Sequence, residues 1–521
     1  MGTERGSGAD VDRPPGDGSQ VTSSAGRPAA PLVVQLITEL RDAGVLYCHW
    51  KSNLFVQRAQ QADTDLDLLV ARQHSRAFIE VLSRCGFVAA HRPHATPIPG
   101  VIHYFGYDEA VDRFVHVHAH HHLVVGHDRT KNYRLPIEGA FLASVSASGG
   151  LPTPSAEFEY VVFIIRMVLK YAVFDELLWD GARGRRARPR MSERQEHDHL
   201  RALITPEGVH AIVDEHLPFV GRELFAEAER VAMGTAPVLR TAALGRRMEA
   251  TLAAHARRVP SVDALVRMWR RTSLAVRRRT GARPGYRLAD GGAIIAIMGG
   301  DGAGKTTALR EIGVWLDEHF DVARVHLGKP PWSLTTYAVR GGLKLAGPAV
   351  PGVGGLTAVS RPSAVVGGGT ASQPGYRQLI WFACKARDRY RTYRRASRAA
   401  NLGSIVISDR FPHPSLPLTD MPQIARLTAD ASTGRFLEAL DRLEQHYHDL
   451  VALPDLAIVL KLDPLEAARR KTDEPPDYVI ERSTEVWDID WTGSGVHVID
   501  AGKPLEAVAG ELKALIWESL A

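Results

Sequence analysis

The residues best suited to chemistry in this chain form a glycine-rich loop at positions 299–306. The loop fits the spacing G-x-x-x-x-G-K-[ST], and an apolar stretch at 293–298 precedes it. A buried strand is therefore expected to run into the loop, and a helix to begin within it. Glycines let successive backbone N–H groups point at one phosphate group, and the helix start adds positive charge. The residues predicted to hold a nucleoside triphosphate are Gly299, Asp301, Gly302, Ala303, Gly304, Lys305, Thr306 and Thr307.

The polar residues near this loop predict phosphate and metal contacts. Lys305 would reach the β- and γ-phosphates of ATP, and the Thr306 hydroxyl would ligate Mg²⁺. A second apolar strand, at 405–408, ends in Asp409 and Arg410. Because the carboxyl ends of parallel strands face the ligand crevice, Asp409 would hold Mg²⁺ or accept a hydroxyl proton, and Arg410 would clamp a phosphate. A surface ion pair is the alternative interpretation of this Asp-Arg pair.

A third strand, at 456–460, leads into a helix at 465–471 that ends in Arg469, Arg470 and Lys471. Cations on the crevice side of this helix would cover the phosphates and exclude water, so that the phosphoryl group is not lost to hydrolysis. The alternative is a solvated helix end, where the helix dipole favours positive charge.

These motifs together resemble the thymidylate-kinase-like nucleoside monophosphate kinases over residues 291–521. The segments that carry the resemblance are the glycine loop, 409–411, 454–456 and the closing 498–501. The resemblance implies an ATP donor site with Mg²⁺, in which Lys305, Asp409, Arg410 and Arg469 are catalytic and Arg470 is a second lid arginine. It also implies that Asp301 faces the acceptor, that Arg410 contacts a phosphate, and that Arg387 on a long helix binds the acceptor.

The acceptor side departs from that family. True thymidylate kinases carry an acidic Arg-Glu-Pro-Gly-type element after the second strand, whereas this chain has His-Leu-Gly-Lys-Pro-Pro at 326–331. A segment rich in Gly, Pro, Ser and Val follows, and we expect residues 330–375 to be a flexible insertion. The acceptor is therefore left open between a nucleoside monophosphate and a sugar or glycan.

A second candidate site lies near the N-terminus. Lys51 and Ser52 follow a strand at 45–49, and a strand at 65–70 carries Asp65 and Asp67. Carboxylates two positions apart share one face of a strand and can hold Mg²⁺ over a triphosphate. This pattern resembles the nucleotidyltransferase core, and the resemblance implies that Lys51 and Ser52 contact phosphates. Histidines stand where that family places a third carboxylate, so the metal site is incomplete or altered.

Six histidines lie between positions 116 and 127. His116, His118 and His120 share one strand face, and imidazole is a common metal ligand. The favoured interpretation is a polar edge strand followed by a hydrated turn, because no nearby cysteine or spaced carboxylate completes a ligand set.

Length and composition limit the number of domains, the cellular compartment and the partners that can be expected. The 521 residues exceed what one core accommodates, and the net charge of +5 is mild for this length. Three distant cysteines favour a reducing cytoplasm, with no disulfide framework and no zinc site. No apolar run reaches transmembrane length. The arginine runs at 183–190 and 267–287 carry no recognisable nucleic-acid-reading motif, so nucleic acid is a disfavoured partner, and a homodimer is left open.

The expected fold class is α/β. Residues 1–30 should be a disordered tail, 31–150 an α+β nucleotidyltransferase-like domain, 151–280 a helical region and 281–290 a basic linker. Residues 291–521 should form a doubly wound parallel sheet, because strands and helices alternate there.

Three functions compete. The first is an ATP-dependent kinase acting on a small acceptor. The second is an ATP-binding regulatory module without turnover, and the third is a metal-dependent nucleotidyltransferase that uses the N-terminal domain.

Overall fold

The computed structural model describes residues 27–93, 97–98, 100–146, 150–172, 189–233, 236–279, 285–345, 375–414, 416, 421–429 and 434–521. These residues pack into two compact units that divide between positions 283 and 284. Within the described residues, no helix combines the length and the apolar character needed to cross a bilayer.

A mixed sheet lies at the centre of the N-terminal unit. Its strands are β1 (Tyr47–His49), β2 (Leu66–Val70), β3 (Val88–His91), β4 (Val101–Asp108) and β5 (Arg113–His120). They lie in the order β1-β2-β5-β4-β3; β2 and β5 run parallel, and the other neighbours run antiparallel. A separate hairpin joins β6 (Leu123–Val125) to β7 (Tyr133–Leu135).

Strand β5 is an interior strand of this sheet, so the predicted polar edge strand is wrong. It pairs with β2 on one side and with β4 on the other. Its histidines therefore face neighbours from two strands and not open solvent. The sequence pattern did not show this because it does not reveal which strand pairs with β5.

The helices of the N-terminal unit fall on two sides of the strands. They are α1 (Pro31–Asp42), α2 (Val56–Gln60), α3 (Ser75–Arg84), α4 (Glu138–Ala143), α5 (Ala156–Tyr171), α6 (Met191–Leu203), α7 (Pro206–His216), α8 (Gly221–Ala232), α9 (Val238–Thr251) and α10 (Pro260–Arg279). Apolar residues of α1 and α3 pack on the face of β2 that carries Leu66, Leu68 and Val70. On the other side, α5 is buried nearly all round and forms a core with β6, β7 and α6–α9.

The C-terminal unit contains a parallel sheet, as the sequence predicts. Its strands are β9 (Ile294–Gly299), β10 (Val322–His326), β11 (Ile405–Asp409), β12 (Leu456–Lys461) and β13 (Val496–Asp500), and a two-residue strand β8 (Arg287–Leu288) precedes them. The order is β10-β11-β9-β12-β13. Strand β9 is central and its residues Ile294–Met298 are all buried, as expected for a strand covered on both faces.

Helices lie between these strands. They are α11 (Lys305–Asp317), α12 (Leu334–Leu345), α13 (Tyr376–Asn401), α14 (Ile424–Leu427), α15 (Arg435–Asp449), α16 (Pro464–Arg470), α17 (Pro476–Trp487) and α18 (Leu505–Leu520). Helix α12 corrects the prediction of a flexible insertion for its first part, because Leu334–Leu345 is helical and Asp388 of α13 anchors its start.

Some predicted segments fall where the structure describes nothing. Residues 346–374 of the predicted insertion, residues 1–26 of the predicted tail, and residues 183–188 of the first arginine run lie outside the described residues. So do residues 281–284 of the predicted linker, of which the later part holds β8.

Helix α5 carries ionisable side chains into the core, where each finds a partner. Arg166 donates to Glu196 of α6 at 3.1 Å, and Lys170 pairs with Glu193 at 2.8 Å. Glu159 accepts from the backbone and side chain of Asn53 at 3.1 and 2.8 Å. Burial, with the nearby Glu196 charge, raises the pKa of Glu159 from 4.5 to about 7 against the opposing hydrogen bonds.

We predict that Glu159 makes the N-terminal unit less stable as the pH rises. Below pH 4.5 the carboxyl is protonated in both states, whereas between pH 4.5 and 7 the unfolded chain ionises and the folded protein keeps its proton. The free energy of unfolding of the wild type should therefore fall relative to Glu159→Gln across this interval, by up to about 3 kcal/mol.

Denaturant unfolding at a series of pH values measures this difference. Glu157→Gln, which removes a carboxylate from the same turn of α5, is the matched control. The prediction is contradicted if the difference in free energy of unfolding between the wild type and Glu159→Gln does not change from pH 4.5 to 7.

Candidate functional site

The glycine loop (residues 299–306) leaves the end of β9 and turns directly into α11. Gly299 has φ 148°, and both Gly302 and Gly304 have φ 84°. These backbone angles lie in the region that side-chain-bearing residues rarely adopt. Lys305 is the first residue of α11, so the helix begins within the loop, as the motif predicts.

Two helices, α16 and α17, press against the glycine loop and are called the lid helices below. A Cβ atom at Gly302 would lie 2.5 Å from the carbonyl oxygen of Ala467 in α16, and one at Gly300 would lie 3.0 Å from Cα of Ser483 in α17. The Ser483 hydroxyl donates to the Asp301 carbonyl at 2.9 Å. The glycines thus permit close packing as well as unusual backbone angles.

The Lys305 side chain folds back onto the start of the glycine loop. Its ammonium group donates to the carbonyl oxygens of Gly299 at 2.9 Å and Gly300 at 2.6 Å. Burial lowers the pKa of Lys305 to about 8, although the nearby Asp301 carboxylate favours the charged form. The ammonium is therefore poorly solvated, and an anion in the loop would stabilise it.

Asp301 is the carboxylate on which the cations of the site converge. Its two oxygens pair with Arg410 at 3.1 Å and Arg482 at 3.3 Å, and Lys305 lies 3.9 Å away. Burial alone would favour the neutral acid, but these positive charges outweigh it and hold the pKa of Asp301 below its usual range.

Arg410, which makes this contact, has an unusual backbone conformation. Its φ is 54°, which is uncommon for a residue with a side chain. The side chain packs over Gly328, where a Cβ atom would lie 2.9 Å from Arg410 Cδ. Such strain persists only where surrounding contacts fix it, and it concentrates at functional sites.

Asp409 lies next to the strand that leads into the loop, and Thr306 is the last residue of the loop. Asp409 is the last residue of β11 and pairs in register with Ile297 of β9 and His326 of β10. Its Oδ1 atom is buried and has no hydrogen-bond partner, and Oδ2 lies 4.0 Å from His326 Nδ1. Thr306 is exposed in the first turn of α11, Thr307 is half-buried and Ala303 is buried.

The structure brings a different lid arginine to the loop than the sequence indicated. Arg469 is largely exposed and pairs with Glu466 at 3.4 Å, while Arg470 donates to Glu466 at 3.1 Å and to the Ala501 carbonyl at 2.9 Å. Arg482 of α17 is the lid arginine that contacts Asp301. Sequence reasoning missed it because no recognisable motif marks α17; the Pro475-Pro476 helix start was the available signal.

On the predicted acceptor side, helices α12 and α13 are tied together by polar contacts. Arg387, the predicted acceptor-binding residue, donates to the Thr335 hydroxyl. Asp388 is buried and accepts from the Ser333 backbone at 3.1 Å and the Thr336 hydroxyl at 2.7 Å. Arg389 donates to the Leu327 carbonyl at 3.0 Å. Three successive residues of α13 thus organise the segment that follows β10.

The N-terminal unit places Lys51 and Asp67 together, and Ser52 elsewhere. The Lys51 ammonium lies 2.8 Å from Asp67 Oδ1. The Ser52 backbone N–H and hydroxyl donate to Glu196 at 3.0 and 3.2 Å. The predicted phosphate contact of Ser52 would therefore compete with a buried carboxylate.

Asp65 and Asp67 share a sheet face with the histidines of β5. His116 Nδ1 lies 2.9 Å from Asp65, and His118 Nδ1 lies 3.2 Å from Asp67. Burial opposes ionisation of Asp65, but the His116 hydrogen bond and the neighbouring imidazoles lower its pKa to about 2. Carboxylates thus stand beside the histidines after all, contrary to the sequence interpretation, because Asp67 lies in β2 and Asp65 directly precedes it.

Comparisons with known proteins find distant similarity, over less than half of this chain. No family model matches the chain. Two curated relatives, named Uncharacterized ATP-binding protein YghR, come from Escherichia coli strains K12 and CFT073; each is 26% identical over 223 residues, which is 41% of this chain and 83% of the relative. A solved thymidylate kinase from Ehrlichia chaffeensis matches 43% of this chain and 99% of its own, at 19% identity and a TM-score of 0.23. The interpretation of the site therefore rests on its own geometry.

We predict that the two glycines with φ 84° differ in how much they tolerate alanine. In Gly304→Ala the new Cβ atom has no atom within 4 Å, so the free energy of unfolding should fall by about 1–2 kcal/mol because of the backbone angle alone. Gly302→Ala adds the collision with the Ala467 carbonyl and should cost a further ~1–3 kcal/mol. Denaturant unfolding, with hydrogen exchange of the α11 amides to identify the C-terminal unit, measures both. Equal costs would show that α16 does not restrict the loop.

Proposed function

We propose that the C-terminal unit is an ATP-dependent phosphotransferase that acts on a small acceptor. The observation that carries the proposal is the convergence of Lys305, Arg410 and Arg482 on Asp301, at the mouth of a glycine loop between a central parallel strand and a helix. The name of the YghR relatives, ATP-binding protein, supports the donor assignment.

The donor site follows from the loop. ATP phosphates would lie against the backbone N–H groups of the glycine loop, with Lys305 as the cation for the β- and γ-phosphates. Transfer breaks the bond between the γ-phosphorus and its bridging oxygen, forms a bond to the acceptor oxygen, and releases ADP; a hydroxyl acceptor also loses its proton, which passes to water. Positioning and charge neutralisation supply most of the catalysis in such transfers.

The residues near the loop fit Mg²⁺, which would neutralise phosphate charge. Mg²⁺ prefers oxygen ligands and keeps several waters. The buried Asp409 Oδ1 has no hydrogen-bond partner, and the Thr306 hydroxyl stands exposed on the first turn of α11. These two oxygens would hold the ion.

Asp301 would link the donor and acceptor sides. It engages Arg410 from β11 and Arg482 from the lid, so a phosphate that competes for these arginines would release the carboxylate toward the acceptor. Arg387 of α13 is proposed on the acceptor side. The acceptor class is a nucleoside monophosphate or a sugar- or glycan-like hydroxyl compound.

The N-terminal residues do not fit the two-carboxylate Mg²⁺ site of a nucleotidyltransferase. Asp67 is paired with the Lys51 ammonium and with His118, and Asp65 with His116. An ion that demands oxygen ligands would have to displace a lysine and would meet imidazole nitrogens on the same face. Nucleotidyl transfer is therefore not the function that the geometry favours.

We predict that Lys305→Ala lowers phosphoryl transfer by about 100-fold or more, because a preorganised cation at the transferred phosphate is lost. The measurement is ADP formation with ATP alone and with panels of nucleoside monophosphates and sugars. Lys503→Ala, which removes an exposed lysine paired with Glu511 in the same unit, is the control. Unchanged ADP formation by Lys305→Ala would contradict the proposal. Tight ATP binding by the wild type without turnover on any acceptor would favour the regulatory module.

We predict that Arg482, and not Arg469, is the lid cation that matters for transfer. Arg482→Gln removes a cation 3.3 Å from Asp301 and should lower kcat about 10- to 100-fold. Arg469→Gln removes an exposed arginine and should change kcat by less than about 3-fold. Steady-state kinetics on the two variants compares them directly. The reverse order would restore the lid assignment made from sequence.

A further inference from the structure

Histidine side chains from two strands gather on one face of the N-terminal sheet. His103 of β4 lies directly opposite His118 of β5, and His118 in turn lies opposite Asp67 of β2. Because strand side chains alternate between faces, His116 and His120 point to the same side as His118. The imidazoles of His103, His116 and His118 are called the histidine cluster below.

The cluster is compact enough for one ion. One ligand atom from each of the three residues lies within 4.8 Å of the others. His103 Nδ1 and His116 Nε2 are 3.2 Å apart. Metal–nitrogen bonds of 2.0–2.1 Å in tetrahedral geometry place two ligand nitrogens about 3.3 Å apart, so this spacing suits two ligands of a single ion.

Carboxylates fix the orientation of two of the rings. An ionised carboxylate can only accept a hydrogen bond, so His116 Nδ1 donates to Asp65 at 2.9 Å and His118 Nδ1 donates to Asp67 at 3.2 Å. In the neutral ring the lone pair is then on Nε2. His118 Nε2 is buried and has no hydrogen-bond partner. Histidine ligands of metals have this outer partner, a carboxylate or carbonyl on the second nitrogen.

We propose that His103, His116 and His118 bind a divalent transition-metal ion, with Zn²⁺ as its probe, and that Asp65 and Asp67 orient the ligands. Three neutral nitrogens suit zinc and its neighbours in the first transition row and do not suit Mg²⁺. Because His103 and His118 are only half-buried, a fourth position is accessible to water or another oxygen ligand.

A second triad, Asp67, His118 and His120, also lies within metal-binding distances. It is the weaker candidate because the Lys51 ammonium already lies 2.8 Å from Asp67 and would repel a cation. His120 is also buried and packs edge-on against Trp50, at 5.1 Å between ring centres. His118 belongs to both triads, whereas His103 and His120 distinguish them.

Metal binding to the full-length protein tests the proposal. After treatment with a chelator, the wild type should take up about one equivalent of Zn²⁺ in equilibrium dialysis, and excess Mg²⁺ should not displace it. His103→Asn and His118→Asn should weaken binding about 100-fold or more. Asp65→Asn, which removes an outer partner, should weaken it about 10- to 100-fold.

Matched variants separate a specific site from adventitious binding. His91→Asn alters an exposed histidine of β3 in the same sheet, and His120→Asn alters the other triad; both should retain the zinc. Co²⁺ in the unmutated protein should give the intense visible absorption of a four- or five-coordinate nitrogen site, which requires no variant to fold.

The proposal is overturned if the wild type takes up no stoichiometric Zn²⁺, or if His118→Asn retains it with circular dichroism like that of the wild type. Loss in His120→Asn with retention in His103→Asn would assign the ion to the other triad and overturn the ligand set. A weak octahedral Co²⁺ spectrum would show that the cluster is a hydrogen-bond network only.

Discussion

The C-terminal unit depends on the close approach of the lid helices to the glycine loop. A Cβ atom at Gly302 would collide with the Ala467 carbonyl, and one at Gly300 would be tightly crowded by Ser483. This packing brings α17 close enough for Arg482 to reach Asp301. The glycines therefore have two roles. They allow the backbone angles that direct N–H groups inward, and they let α17 pack closely enough to place Arg482 over the loop.

Because of that packing, several charged side chains are buried close together at this site. Burial opposes the charge on Lys305, while Lys305, Arg482, Arg410 and Lys471 together hold Asp301 ionised. Asp301 and Asp409 supply two negative charges against the three positive charges of Lys305, Arg410 and Arg482, so the mouth of the loop keeps net positive charge. A polyanion placed there gains from each cation and is shielded from water by the lid. The positive φ of Arg410 fits this view, because strained backbone angles concentrate at functional sites.

Local signals explain which parts of this site were predictable. The apolar run before Gly299, the glycine spacing and Lys305 lie within a few residues of one another, and the parallel sheet follows from alternating strands and helices. Arg482 was not predictable in this way, because its role depends on how α17 folds back over a loop some 180 residues earlier. Arg469 carried the expected charge at the expected place in the sequence, yet the phase of α16 turns it toward Glu466. Strand identity was readable from pattern, whereas helix phase and strand pairing required tertiary structure.

The histidines of β5 also show that strand pairing could not be predicted from the sequence pattern. The alternation of His116, His118 and His120 predicted a shared face but not its neighbours. A hairpin that sets Asp108 opposite Arg113 necessarily sets His103 opposite His118, so part of the cluster follows from the turn between β4 and β5. The carboxylates come from β2 and the residue before it, and β2 pairs with β5 across more than forty residues of chain. That pairing changes the chemistry of Asp65 and Asp67, because carboxylates that hold imidazoles serve a nitrogen-ligated ion better than they serve Mg²⁺.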